Sequence, residues 1–203
     1  MLIMLIVLII AVFFLSSVGY AQDGFLGAER LIVEQGFGSS SLLSDSTLEG
    51  NIGLERFAKT RVGLEWELFS DEEGLALDFG LGMQSYMASG QSNATGIDTT
   101  LRLTLSPNAT LSPYVIFSAS YDKMSRTWTG TDVDYTFANS FGAGASYRLN
   151  ERSKVFVDYR WFHTSNGAAF HSDAFRDTFG LETSYENPGF ETGLITVGYS
   201  LEF

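Results

Sequence analysis

Apolar and polar side chains alternate with period two along most of the chain, the spacing of a strand with one dry face and one wet face. Leu75, Leu77, Phe79, Leu81 and Met83 share one face, and Ala76, Asp78, Gly80, Gly82 and Gln84 share the other. Val62, Leu64, Trp66 and Leu68 oppose Arg61, Gly63, Glu65 and Glu67. Ile97, Thr99, Leu101, Leu103 and Leu105 oppose Asp98, Thr100, Arg102 and Thr104. Less cleanly, Val115, Phe117, Ala119 and Tyr121 oppose Tyr114, Ile116, Ser118, Ser120 and Asp122. Tyr135, Phe137, Phe141, Ala143, Ala145 and Tyr147 oppose Asp134, Thr136, Ser140, Gly142, Gly144, Ser146 and Arg148. At the C-terminus Ile195, Val197, Tyr199, Leu201 and Phe203 oppose Thr196, Gly198, Ser200 and Glu202. No long stretch carries the 3.6 period of an amphipathic helix. The pattern predicts strands near 29–39, 60–69, 74–87, 97–106, 112–123, 134–149, 153–165 and 190–203.

A soluble sandwich also alternates, so the details decide. These strands run about 10 to 14 residues, whereas soluble strands average about five or six. Their second face mixes ionised groups with glycines, as a narrow polar lumen does, and Tyr121, Tyr135 and Tyr147 fall near strand ends, where interfacial girdles form. Lipid supplies no water to unpaired backbone groups, so such a sheet closes on itself. The expected fold is all-β, a transmembrane antiparallel barrel of eight strands. Leu48 to Lys59 also alternates and would either extend the second strand or form an extra hairpin, so ten strands is the alternative. The tight connections Ser70 to Gly74 and Leu149 to Arg152 suit the periplasmic side. The longer ones near 88–96, 124–132 and 166–189 suit the outside.

Leu2 to Leu15 are almost wholly apolar, and Gly19-Tyr20-Ala21 places small residues three and one before a cut. This predicts a signal peptide over 1–21, with the barrel over 22–203. The apolar run is about 14 residues, short of the roughly 20 a spanning helix needs. It lacks a basic residue ahead of it, so a retained anchor is the alternative reading.

The net charge of −12 starts a nucleic-acid partner low, since that class uses a basic face. With no cysteine, a disulfide scaffold, a thiol nucleophile and a thiolate metal site are excluded. Two histidines make a multi-histidine metal centre a poor fit, and neither metal nor organic cofactor is expected. Gly36-Phe37-Gly38 is a lone GxG inside a strand, without the helix a phosphate loop needs.

One strand carries chemistry on its apolar face. Val155, Val157, Tyr159, Trp161, His163 and Ser165 occupy alternate positions, opposite Phe156, Asp158, Arg160, Phe162 and Thr164. Alternation turns His163 and Ser165 outward. They lie about ten residues up the strand from the periplasmic turn, which at about 3.3 Å per residue reaches the outer-leaflet boundary. A histidine two residues from a serine on one face can take its proton and make it a nucleophile. A carboxylate on the far ring nitrogen would fix the tautomer. Glu191 shares the odd parity of Ile195, Val197 and Tyr199. A register that sets His163 opposite Glu191 also sets Val155 opposite Tyr199. A single polar residue at a barrel rim is ordinarily solvated by headgroups; His, Ser and Glu together on adjoining strands are harder to explain that way.

The stretch Tyr159-Arg160-Trp161-Phe162-His163-Thr164-Ser165-Asn166-Gly167 resembles the His-x-Ser-Asn signature of the PagL family of lipid A 3-O-deacylases. Asn187-Pro188-Gly189-Phe190-Glu191 is similar to that family's Asn-x-Gly-x-Glu element, and the ending Val197 to Phe203 also fits. The resemblance is sharp over 155–203 and only architectural before it. It implies an eight-stranded bacterial outer-membrane hydrolase that removes the ester-linked 3-acyl chain from the lipid A of lipopolysaccharide. Ser165 would be the nucleophile, His163 the base and Glu191 the orienting acid. The backbone N–H groups of Asn166 and Gly167 would cradle the oxyanion. The segment from Asn166 to Asn187 is longer than the family's connection, which leaves Glu186, Asp177 or Asp173 as alternative acids; His171 in this loop reads as exposed.

An ester at the headgroup boundary can reach such a site without leaving the membrane, which avoids extracting acyl chains at about 0.8 kcal/mol per methylene. A barrel phospholipase with the same triad, or a non-enzymatic structural or adhesive barrel working through its loops, are the competing readings. A second copy of the chain, as a homodimer, is a candidate partner.

Overall fold

The computed structural model describes residues 26–39, 57–71, 74–88, 92–126, 135–165 and 190–203. The signal peptide expected over 1–21 lies outside them. Eight strands form: β1 Arg30–Ser39, β2 Phe57–Ser70, β3 Leu75–Ala88, β4 Ser92–Leu105, β5 Leu111–Arg126, β6 Tyr135–Asn150, β7 Ser153–Ser165 and β8 Phe190–Glu202. Each pairs antiparallel with its sequence neighbours, and β1 pairs with β8, so the sheet is a closed barrel. The ten-strand alternative is thereby set aside. Of the segment proposed for an extra hairpin, Phe57, Ala58 and Lys59 belong to β2, and the rest lies outside the described residues.

The seam joins the two ends of the chain. Arg30 to Ser39 pair with Glu202 to Gly193, and the backbone N–H of Phe203 donates to the carbonyl of Glu29 at 3.0 Å. Both barrel termini therefore sit at the end that carries the short turns. In one of those turns Asp71 Oδ1 accepts the N–H of Leu75 at 2.6 Å, and Gly74 takes a φ of +94°, where a side chain would be strained. In another, Asn150 Oδ1 accepts from the N–H of Arg152 at 2.9 Å.

Period two sorts the side chains as the sequence predicts. Inward residues from Asp78 on β3 to Ser200 on β8 are buried, while Met83, Ile97, Phe117, Phe141 and Val197 stand exposed on the wall. The uneven pattern on β5 has a reason. Tyr114 and Ile116 point inward, and the Tyr114 hydroxyl donates to Asp158 at 2.7 Å, so an apolar ring becomes acceptable in a polar lumen.

Three expectations are corrected. Glu67, placed in the lumen by strict alternation, is exposed together with Leu68, Phe69 and Ser70. A bulge between Glu67 and Phe69 leaves Leu68 unpaired and ends the alternation there. The connection placed near 88–96 shrinks to 89–91, because β4 begins at Ser92 and pairs Asn93 with Met87 and Thr95 with Ser85. Backbone pairing continues there although the outward side chains turn polar. Likewise β5 runs on to Arg126, past the expected stop at 123.

The bore is filled in layers. Towards the long connections, the rings of Phe57, Tyr86 and Phe162 meet with centroids 5.0 to 5.5 Å apart. Below them Arg160 holds Glu34 at 3.0 Å and both oxygens of Asp158 at 2.7 and 2.8 Å. Arg61 donates to Asp98 at 2.5 Å, and Arg102 lies 3.3 Å from Glu65. Ile32, Tyr114, Ile116 and Phe156 form a second apolar layer, covered by the Arg102 guanidinium at 4.9 Å from the Tyr114 ring and 4.8 Å from that of Phe156. Gly198 gives Phe156 its room: a Cβ there would come within 2.1 Å of the ring.

Candidate active site

On β7 the inward residues Phe156, Asp158, Arg160, Phe162 and Thr164 are all buried. The outward set includes the exposed Val157 and Tyr159, then Trp161 and His163, both half-buried. His163 thus stands on the outer wall at the end away from the short turns, where its parity predicts. Two contacts hold it in place. Its backbone is paired on both sides, with Asn139 of β6 and Glu191 of β8. Its ring lies on the indole of Trp161, with centroids 5.6 Å apart and planes 17° from parallel. Behind it, Phe162 belongs to the triple-ring layer that props the strand from inside.

The backbone register brings the expected residues to one place. His163 is the ladder partner of Glu191, and Val155 of Tyr199, as one antiparallel register requires. Ser165, two residues beyond His163, pairs with Phe137. Of the other carboxylates weighed for the orienting role, Glu186, Asp177 and Asp173 lie outside the described residues. So do His171 and the two oxyanion donors, Asn166 and Gly167. Among the described residues no group of three or more His, Asp or Glu side chains could hold a metal ion.

Two features escaped the sequence reading. The first is Asn139, half-buried and directly opposite His163. Its odd parity on β6 sets an amide between the outward rings of Phe137 and Phe141, a signal available in the alternation but passed over between those two residues. The second is the stack of Trp161 on His163. Spacing alone puts both on one face, but ring overlap depends on side-chain rotation that no sequence pattern records.

No protein-family model and no curated protein matches the sequence. Solved structures do share its fold. The crystal structure of Neisserial surface protein A (NspA) is similar with a TM-score of 0.56 at 12% identity, over 86% of this chain and 96% of that one. The crystal structure of the outer membrane enzyme PagL is similar with a TM-score of 0.51 at 14% identity, over 85% of this chain and 99% of that one. One is a surface protein and the other an enzyme, and at such identities the likeness is one of fold. The chain is a closed eight-stranded antiparallel barrel of the outer-membrane kind.

Proposed function

We propose that this barrel is an outer-membrane esterase that removes the 3-O-linked acyl chain from lipid A, with Ser165, His163 and Glu191 as nucleophile, base and orienting acid. One observation carries the reading: His163 faces outward on the wall, with Glu191 as its backbone partner on β8 and Ser165 two residues further along β7. Support also comes from the His-x-Ser-Asn and Asn-x-Gly-x-Glu resemblances and from the likeness in fold to an outer membrane enzyme.

The chemistry needs nothing beyond the chain and water. His163 takes the proton of the Ser165 hydroxyl as its oxygen bonds to the ester carbonyl carbon. Backbone N–H groups at Asn166 and Gly167 receive the oxyanion. Collapse breaks the bond to the sugar oxygen, which leaves with the proton held by His163, and Ser165 keeps the acyl group. Water, deprotonated by His163, then releases the fatty acid and restores the serine. The lipid stays in the outer leaflet throughout, and lipopolysaccharide is the substrate pool.

Mass spectrometry of lipid A from cells that make the protein tests the reading. Loss of one ester-linked acyl chain is expected, and Ser165→Ala and His163→Ala should each restore the intact mass while the barrel remains heat-modifiable on gels. The second reading is a structural or adhesive barrel, and the fold is shared with a surface protein as well as with an enzyme. Unchanged lipid A with altered adhesion on loop exchange would favour that second reading, and released lysophospholipid would redirect the triad to a phospholipase.

A further inference from the structure

The outer wall beside the candidate triad carries a cluster of aromatic rings. Tyr121 of β5 and Tyr135 of β6 stack with centroids 5.2 Å apart and planes 5° from parallel. Phe137 joins them, its ring centroid 5.0 Å from that of Tyr121. All three are exposed, at 49%, 43% and 40%. Phe137 is the backbone partner of Ser165, so this aromatic plate adjoins the strand of the expected nucleophile. Its far edge carries a cation, because Lys123 is the backbone partner of Tyr135 and is exposed on the same outward face of β5.

Interfacial rings ordinarily form a girdle right round a barrel. Here they do not. At the same ends of β2, β3 and β4 the outward positions are Ala58, Thr60, Ser85, Met87, Asn93 and Thr95, none of them aromatic, and β1 adds the single exposed ring of Phe37. The cations are equally uneven. Lys59, Arg61, Arg102 and Arg160 are buried in the lumen. Arg30, Arg148 and Lys154 are bonded near the short-turn end, and Arg152 lies in a short turn. Among side chains the structure describes, Lys123 is the one cation on the outer wall at the long-connection end, in a chain of net charge −12. An acidic protein that puts a lysine and a flat pair of tyrosines on one side of a candidate ester site has built a place for a ring with an anion.

We infer that Tyr121, Tyr135, Phe137 and Lys123 form a docking platform for the phosphorylated sugar headgroup of the lipid whose ester Ser165 attacks. The inference rests on the esterase reading and names its headgroup subsite. Aromatic faces receive the apolar faces of a sugar and the root of an acyl chain. A lysine stem at this position can run along the wall and carry its ammonium to a phosphate. From the strand of Lys123 to that of Ser165 is two strand spacings, roughly 10 Å, a span that a phosphorylated sugar covers.

The test compares hydrolysis of bis-phosphorylated lipid A with that of the same lipid A after phosphatase treatment, using the full-length protein in detergent micelles. Lys123→Gln should raise KM about fivefold to tenfold on the phosphorylated lipid with kcat little changed, and should leave KM unaltered on the dephosphorylated one. Tyr135→Leu should raise KM on both. If Lys123→Gln changes neither KM, or changes both equally, the platform is overturned. If the wild-type protein hydrolyses neither lipid, the esterase reading fails separately. Binding of the two lipid A preparations, followed by the protein's aromatic fluorescence, then decides. Weaker binding of only the phosphorylated lipid by Lys123→Gln supports the platform, and equal binding by wild type and variant removes it.

Discussion

His163 lies on the face of Trp161, with ring centroids 5.6 Å apart and planes 17° from parallel. In the proposed mechanism His163 has to reach a hydroxyl two residues along its strand, and the indole would hold the ring for that task. The same π face would favour the ring while it carried the serine proton. An aromatic pair is worth about 0.5–1.5 kcal/mol, so Trp161→Leu should slow ester hydrolysis about threefold to tenfold. Trp161→Phe should recover most of the rate. Equal rates for the Leu variant and wild type, measured on lipid A in micelles, would show that Trp161 is merely a wall residue.

The pairing of His163 with Glu191 sets a sharper comparison. Glu191→Gln keeps the shape of the acid and withdraws its charge, so turnover should fall by orders of magnitude yet remain above that of Ser165→Ala, since serine and oxyanion donors persist. Glu186→Gln should be nearly silent. A crippling effect at Glu186 in the same membranes would move the orienting acid off β8 altogether.

Arg160 is the hub of the lumen, holding Glu34 at 3.0 Å and Asp158 at 2.7 Å. Arg160→Leu takes the nearest cation from two buried carboxylates, leaving Glu34 the more distant Arg61 and Arg102 at 3.6 and 3.8 Å and Asp158 the Tyr114 hydroxyl. Breaking a buried ion pair from one side costs about 3–5 kcal/mol, and the urea midpoint of the barrel in micelles should fall accordingly. Arg160→Leu combined with Glu34→Gln and Asp158→Asn should recover a large part of the loss, because the stranded charge and not the missing contact is the main penalty.

A Cβ at position 198 would lie 2.1 Å from the Phe156 ring. Gly198→Val should therefore prevent the last strand from closing on β7, seen as loss of the heat-modifiable band. Gly198→Val with Phe156→Ala should refold. If Gly198→Val alone gives a normal barrel, the packing of the lower apolar layer is different from that described.

The architecture was legible because lipid and lumen impose opposite solvents on successive residues, so parity carries most of the fold. Parity also foretold the pairing of His163 with Glu191, since one register had to satisfy Val155 and Tyr199 as well. It failed where side-chain polarity and backbone pairing part company. Asn93 and Thr95 are polar yet lie within β4, and Leu68 bulges out of β2 beside a charged Glu67 that ends up outside. Asn139 was hidden by its neighbours: between Phe137 and Phe141 one amide reads as noise until β7 is laid alongside it. Ring orientation and the partners of buried arginines come from packing in three dimensions, which a linear pattern does not encode.

The three rings of Phe57, Tyr86 and Phe162 cap a bore already occupied by arginines and carboxylates. A barrel packed in this way is a post and not a pipe. For the proposed esterase, substrate and products would have to arrive and depart sideways, through the leaflet that bathes the wall. A freed fatty acid would slip directly into the surrounding acyl chains, and the trimmed lipid would drift off in the plane where it began. Turnover on such a wall would then be governed by two-dimensional diffusion and by the local crowd of neighbouring lipids, quantities that a dilute aqueous assay does not reproduce.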